Sequence, residues 1–196
     1  MKELLIKTFS DDDFIRSKVP MTKESVRHLS IIKLGLCEGD TVYDIGSGTG
    51  SIACEAAAQS GSLEVYAIEM KPEACGLIRQ NASKFGLSNI KVVEEKAPAA
   101  FNGLPAPSCA FIGGSSGNLK EILTSLSSAP KGVRVVINAV SLETMAEIQS
   151  VLKEFDLRDL SIEQVSVSKA RELGSYHLMT AENPVMIASF TIGGRA

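Results

Sequence analysis

The chain has 196 residues, 44% of them hydrophobic, and a formal net charge of −3. That length fits one domain, residues 1–196, with ample material for a core, and so weak an acidic balance gives no general attraction for nucleic acid or anionic membranes. No run approaches the ~18 apolar residues of a membrane span, and the opening MKELLIKTFSDDD has too short an apolar stretch for a secretory signal.

Residues 1–21 are polar and irregular, and are expected to form a short segment covering a site. Thr22 opens TKESVRHLSIIKLGL, where Val26, Leu29 and Ile32 fall near helical spacing. Thr22 is placed as the helix N-cap and Gly35 as its stop. Thr41–Gly50 reads TVYDIGSGTG, a β-forming run that breaks into three glycines within five residues. An Ala-rich helix, Ser51–Gln59, follows, and then VYAIE at Val65–Glu69, an apolar strand ending in a carboxylate.

Pro72 starts the next helix and Gly86 stops it. Strands are expected at Asn89–Glu94, Ser108–Ile112 and Val133–Val140, and helices at Leu119–Ser128 and Leu142–Phe155. Asp159–Ser168 and Val185–Ile192 read as two closing strands. The βαβα alternation predicts an α/β fold: a doubly wound, mostly parallel seven-stranded sheet with an antiparallel edge strand. Cys37, Cys54, Cys75 and Cys109 form no C-x-x-C pair, and the two histidines, His28 and His177, are too few for a typical His-rich metal cluster. Reduced thiols, no metal site and a cytoplasmic location are expected.

The spacing D-x-G-x-G-x-G at Asp44–Gly50 matches neither the dinucleotide fingerprint nor the phosphate loop. No Lys follows the last glycine, and Asp44 would repel a pyrophosphate but suit an ammonium or an ordered water. Glu69 stands where such folds place an acid to accept both hydroxyls of a ribose. A ribose, an ammonium and no phosphate together describe S-adenosyl-L-methionine. An ordinary βα turn is the plainer alternative for the glycines alone.

DIGSGTG and YAIE resemble the first and second motifs of class I S-adenosylmethionine-dependent methyltransferases. FIRSKVPMTKESVR, FIGGSSG, INAVSLET and VSVSKARELGSYHLMTAENPV are similar, in order, to the cobalt-precorrin-6B C-15-methyltransferases (decarboxylating) of cobalamin biosynthesis, from Asp12 to Ile192. The resemblance implies methylation of C-15 of a corrin precursor with loss of carbon dioxide from the ring C acetate. It implies a cofactor site at Thr22, Gly46, Ser47, Gly48, Thr49, Gly50, Glu69 and Ala97. The family commonly reads G-D-A-P where this chain has Glu95-Lys96-Ala97-Pro98, so a lysine replaces an acid and only backbone contacts to adenine are expected there.

A polycarboxylate acceptor calls for basic residues at the mouth of the pocket, since Arg binds carboxylates in bidentate fashion and Lys as a point charge. Arg16, Lys18, Lys23, Arg27, Lys120, Lys169 and Arg171 are available, and Arg16, Lys169 and Arg171 are chosen as substrate-binding. Tyr176 and His177 could hydrogen-bond the macrocycle or serve only structure. No catalytic acid or base is assigned, because the macrocycle itself can accept the electrons that decarboxylation leaves. The resemblance also implies a homo-oligomer, a tetramer. The competing readings are a class I methyltransferase acting on another small molecule or RNA, and a non-catalytic S-adenosylmethionine-binding subunit. An amide-methylating enzyme often carries N-P-P-Y or D-P-P-Y where this chain reads Ile112-Gly113-Gly114-Ser115.

Overall fold

The structure, a computed structural model, describes residues 7–194; the first six residues of the expected covering segment lie outside that range. Strands β1 (Thr41–Ile45), β2 (Glu64–Ile68), β3 (Ile90–Val93), β4 (Cys109–Ile112) and β5 (Val133–Ala139) run parallel in one sheet, with β3 at its edge. These strands are short, and β1, β2 and β4 are almost continuously buried, as strands covered on both faces should be.

Helices α1 (Glu24–Leu34), α2 (Ser51–Gln59) and α3 (Pro72–Lys84) supply one covering layer, and α4 (Leu119–Ser127) and α5 (Leu142–Leu152) the other. Two clusters follow the alternation of the strands. Tyr43, Ile45, Tyr66 and Ile68 face the α4–α5 side with Ile122 and Ile148. Val42, Val65, Ala67 and Phe111 face the α1–α3 side with Ile52 and Ile78.

Strands β6 (Leu157–Val165) and β9 (Val185–Ile192) complete a sheet of seven in the order β3-β2-β1-β4-β5-β9-β6. The antiparallel strand is therefore one place in from the edge, a correction to the expected antiparallel edge. α5 carries the chain from β5 to β6, and β9 then returns between them, antiparallel to both. A direct return without a crossover reverses the strand direction.

Sequence patterning predicts no strand over Lys169–Ala181. Here β7 (Ser168–Leu173) and β8 (Tyr176–Ala181) form a separate two-stranded antiparallel hairpin. Every residue of both strands is exposed, so no in–out hydrophobic alternation marked it.

Ahead of α1, residues 7–23 form a strap. Phe9, Phe14 and Phe85 pack as an aromatic cluster, with Phe9 stacked on Phe85 at 4.0 Å between centroids. α1 begins at Glu24, with Lys23 rather than Thr22 as its N-cap. The orphan N–H of Glu24 donates instead to Asp11 Oδ1 in the strap at 2.9 Å. Arg27 is fully buried beneath the strap, paired with Glu55 and Asp11, and donates to the carbonyls of Thr22 and Phe9. A buried guanidinium needs all of these partners, so Arg27 is a structural clasp and leaves the list of acceptor-binding cations.

Candidate active site

The order of strands reverses between β1 and β4, and ligands of such sheets bind beyond the carboxyl ends of the strands at that point. A cleft of about 920 Å³ opens there. Its floor is the turn after β1. Gly46 and Gly48 hold φ of +69° and +59°, a backbone region open to glycine at little cost. The N–H groups of Gly46 and Ser47 donate to Ile68 O at 3.0 and 3.2 Å, which fixes the turn against β2.

Glu69 follows β2, and its carboxylate is already aimed. Oε2 accepts from the Gly48 N–H at 3.0 Å and Oε1 from the Lys71 N–H at 3.0 Å. Each oxygen retains capacity for another donor. Asp44 lies at the end of β1, wholly buried yet lining the cleft. Its Oδ2 accepts from Ser47 Oγ at 2.6 Å and from the Ala53 N–H at 3.0 Å, while Oδ1 has no partner among the described residues. Burial pushes this carboxyl up to about 7; the bonds from Ser47 and Ala53 oppose the rise and the charge of Glu69 adds to it. An unpartnered buried carboxylate oxygen is rare in a finished core and calls for a donor, which an ammonium would provide.

The roof is the strap. Lys18, Val19, Pro20, Met21, Thr22 and Lys23 all line the cleft. A Cβ placed on Gly48 would stand 3.1 Å from the Pro20 carbonyl oxygen, so roof and floor are in near contact there. Ala97 and Lys96 line the cleft beyond β3, and Gly113 to Ser116 line it beyond β4.

The sequence-predicted residues divide clearly. Thr22, Gly46, Ser47, Gly48, Glu69, Ala97 and Arg171 line the cleft. Thr49 and Gly50 do not: the Thr49 carbonyl accepts from Asn81, and a Cβ on Gly50 would meet Ile78 at 3.1 Å. Gly50 serves the packing of α2 on α3.

Arg16 is turned to Asp12, at 2.9 Å, and is absent from the lining. Lys169 is also outside it, 3.8 Å from Glu182, whereas Glu182 itself lines the cleft. Tyr176 and His177 lie exposed on β8, outside the lining. Lys120 is paired with Glu154 at 2.6 Å. The lining cations are Lys18, Lys23, Lys71, Lys96 and Arg171. Asp44 and the strap lysines were visible in the sequence, but only the folded strap shows that Lys18 and Lys23, and not Arg16, face inward. Among the described residues no cluster of His, Cys, Asp or Glu could hold a metal, and Cys37, Cys54, Cys75 and Cys109 are all free thiols, three of them buried.

A seven-stranded sheet of this order, with a glycine turn after β1 and an acid after β2, is the architecture of the class I S-adenosylmethionine-dependent methyltransferases. Within that class the chain belongs to the family described as the precorrin methyltransferase domain, whose model matches residues 13–191. It is similar to a Saccharolobus solfataricus protein named "Probable cobalt-precorrin-6B C(15)-methyltransferase (decarboxylating)", 40% identical over 176 residues, 88% of either chain. Among solved structures it resembles precorrin-6y C5,15-methyltransferase from Geobacter metallireducens, with a TM-score of 0.88 and 32% identity over 95% of this chain and 99% of that one. A further likeness is to precorrin 8W decarboxylase from Methanobacterium thermoautotrophicum, with a TM-score of 0.85 and 33% identity over 93% of this chain and 98% of that one.

Proposed function

We propose that this protein transfers the methyl group of S-adenosyl-L-methionine to C-15 of a corrin precursor, cobalt-precorrin-6B or its metal-free counterpart, with decarboxylation of the ring C acetate. The observation that carries this reading is likeness along nearly the whole chain to a relative named for that activity.

The cleft suits the cofactor. Glu69 would accept from the ribose hydroxyls, and Asp44 Oδ1 would take the ammonium. Thr22 would meet the methionine carboxylate from the roof, and the backbone at Ala97 would border adenine. When bound, S-adenosylmethionine supplies a sulfonium methyl to a carbon nucleophile. The chain's own task is positioning, which can supply several kcal/mol when reacting atoms are held in line. Lys18, Lys23 and Arg171 would grip the peripheral carboxylates of the acceptor. No protein acid or base is required by the balance: breaking the CH2–carboxylate bond releases neutral carbon dioxide and leaves an electron pair in the macrocycle, and the incoming methyl cation equivalent consumes one pair.

The chain is proposed to act in the cytoplasm as one domain with its N-terminal segment as cover, and as a homo-oligomer, a tetramer by family resemblance. The exposed hairpin supports association, because an isolated two-stranded ribbon is marginal in water and this one exposes Leu173, Tyr176, Leu178 and Met179. Turnover of the cobalt-containing and metal-free precursors, read by mass spectrometry, tests the substrate. A product lighter by one carbon dioxide and heavier by one methylene is expected from at least one. No reaction with either, despite tight cofactor binding, points to a different acceptor or a non-catalytic subunit.

A further inference from the structure

Asn81 on α3 is fully buried and lies outside the cleft lining. Burying an amide is costly unless its groups are bonded, and here they bind two distant segments. Asn81 Oδ1 accepts from the Ile15 N–H at 2.7 Å, and Nδ2 donates to the Ile15 carbonyl at 3.1 Å. The side chain thus pairs with Ile15 as a neighbouring strand would. Nδ2 also donates to the Thr49 carbonyl at 2.9 Å, inside the glycine turn. One amide therefore joins the start of the roof to the floor.

The other end of the roof is held separately, by Arg27 Nη1 on the Thr22 carbonyl at 2.8 Å. Between these two clasps, residues 16–21 cross the cleft. Across that stretch the named bonds to the body are few, chiefly Ser17 Oγ to Glu73 Oε1 at 3.1 Å, and the Pro20 carbonyl rests over Gly48. Ahead of the first clasp, the strap is held independently by the aromatic cluster and by Lys84 on the Asp13 carbonyl. Loss of Asn81 would therefore free the roof and leave the strap attached.

We infer that Asn81 is a positioning residue for cofactor binding: its amide clasps the strap to the glycine turn and sets how firmly the roof closes over the bound cofactor. The inference rests on the cofactor reading above, though not on the identity of the acceptor. Asn81→Asp keeps the size and the acceptor for the Ile15 N–H. It loses both donations and sets a carboxylate oxygen against two carbonyls. Asn81→Leu removes all three bonds without adding charge, and serves if the first variant does not fold.

The test uses the full chain with S-adenosylhomocysteine, by calorimetry and stopped-flow release, together with hydrogen exchange of the strap. Losing two net hydrogen bonds should weaken binding by roughly tenfold or more, through faster release. At saturating S-adenosylhomocysteine the glycine turn should still gain protection from exchange, while residues 16–21 should gain much less than in the wild type. A purely structural role would lower the melting temperature and leave release rate and roof protection unchanged; that result in a folded variant overturns the inference. Failure of the wild type to bind S-adenosylhomocysteine would instead overturn the cofactor reading.

Discussion

Glu69 and Asp44 are two carboxylates that line one cleft in different surroundings. Glu69 is half-buried and held by two backbone N–H groups, ready to accept further donors. Glu69→Ala should reduce affinity for S-adenosylhomocysteine by about 1.5–3 kcal/mol, the worth of hydrogen bonds to a charged group; unchanged calorimetric affinity in a folded variant contradicts the assignment. Asp44 is raised to about 7 by burial. In the free protein its ionisation is disfavoured on folding, so its effect on stability worsens as pH climbs from the ordinary carboxylate range through about 7. A bound ammonium selects the ionised form. Affinity should then be full above about pH 7 and fall by about tenfold per pH unit below it, while Asp44→Asn should bind more weakly at high pH with a flatter profile. A wild-type profile that is flat across this range contradicts the role given to Asp44.

At this scale the sequence was informative where spacing encodes chemistry. Three glycines after an acid, and a second acid after the next strand, locate the glycine turn and Glu69, which the fold brings together at the cleft. Charge on loops was less legible. Arg16 and Lys18 are near neighbours in sequence, yet one pairs with Asp12 and the other lines the cleft. The direction of a loop side chain depends on the clasps at its ends, and one of these, between Asn81 and Ile15, joins residues far apart in sequence.

Among the elements, the glycine turn separates two roles within one motif. Gly48 and Gly50 both hold positive φ, +59° and +79°. Gly48→Val adds a branched side chain toward the Pro20 carbonyl and the roof; it should abolish detectable cofactor binding with the fold retained. Gly50→Val drives its Cβ into Ile78 between α2 and α3 and should act mainly on stability. Added to the left-handed backbone cost of roughly 1–2 kcal/mol, the clash should lower the melting temperature by several degrees. Thermal melts paired with calorimetry distinguish the two, and equal effects on binding at both positions would refute the division. The buried strands and their helices were readable because burial on both faces imposes continuous apolar runs. The hairpin of β7 and β8 was not, because neither of its faces is covered within the described chain. The place of β9 between β5 and β6 was also hidden, since pairing order is settled by packing over long sequence distances.

The whole molecule is weakly acidic, and its cleft sets Lys18, Lys23, Lys71, Lys96 and Arg171 against Asp44, Glu69, Glu73, Glu95 and Glu182. A net charge of −3 argues against a nucleic acid as acceptor, which would ask for a broad basic face. Arg171→Ala should raise the acceptor KM, by about 1–3 kcal/mol for a lost charge-assisted contact, and leave cofactor affinity intact. Arg16→Ala, outside the cleft, should change neither; a larger effect at Arg16 than at Arg171 would contradict the placement. Acceptor binding should also weaken with added salt, as exposed charges are screened over ~8 Å at physiological ionic strength.

On the proposed function, one cleft joins methyl transfer to decarboxylation. The most direct test follows both changes in one reaction, with methyl-labelled S-adenosylmethionine and an acceptor labelled in the ring C acetate carboxyl. One labelled carbon dioxide should be released for each methyl transferred, in step throughout the time course. Methyl transfer with no labelled carbon dioxide would leave a methyltransferase and contradict the decarboxylating activity.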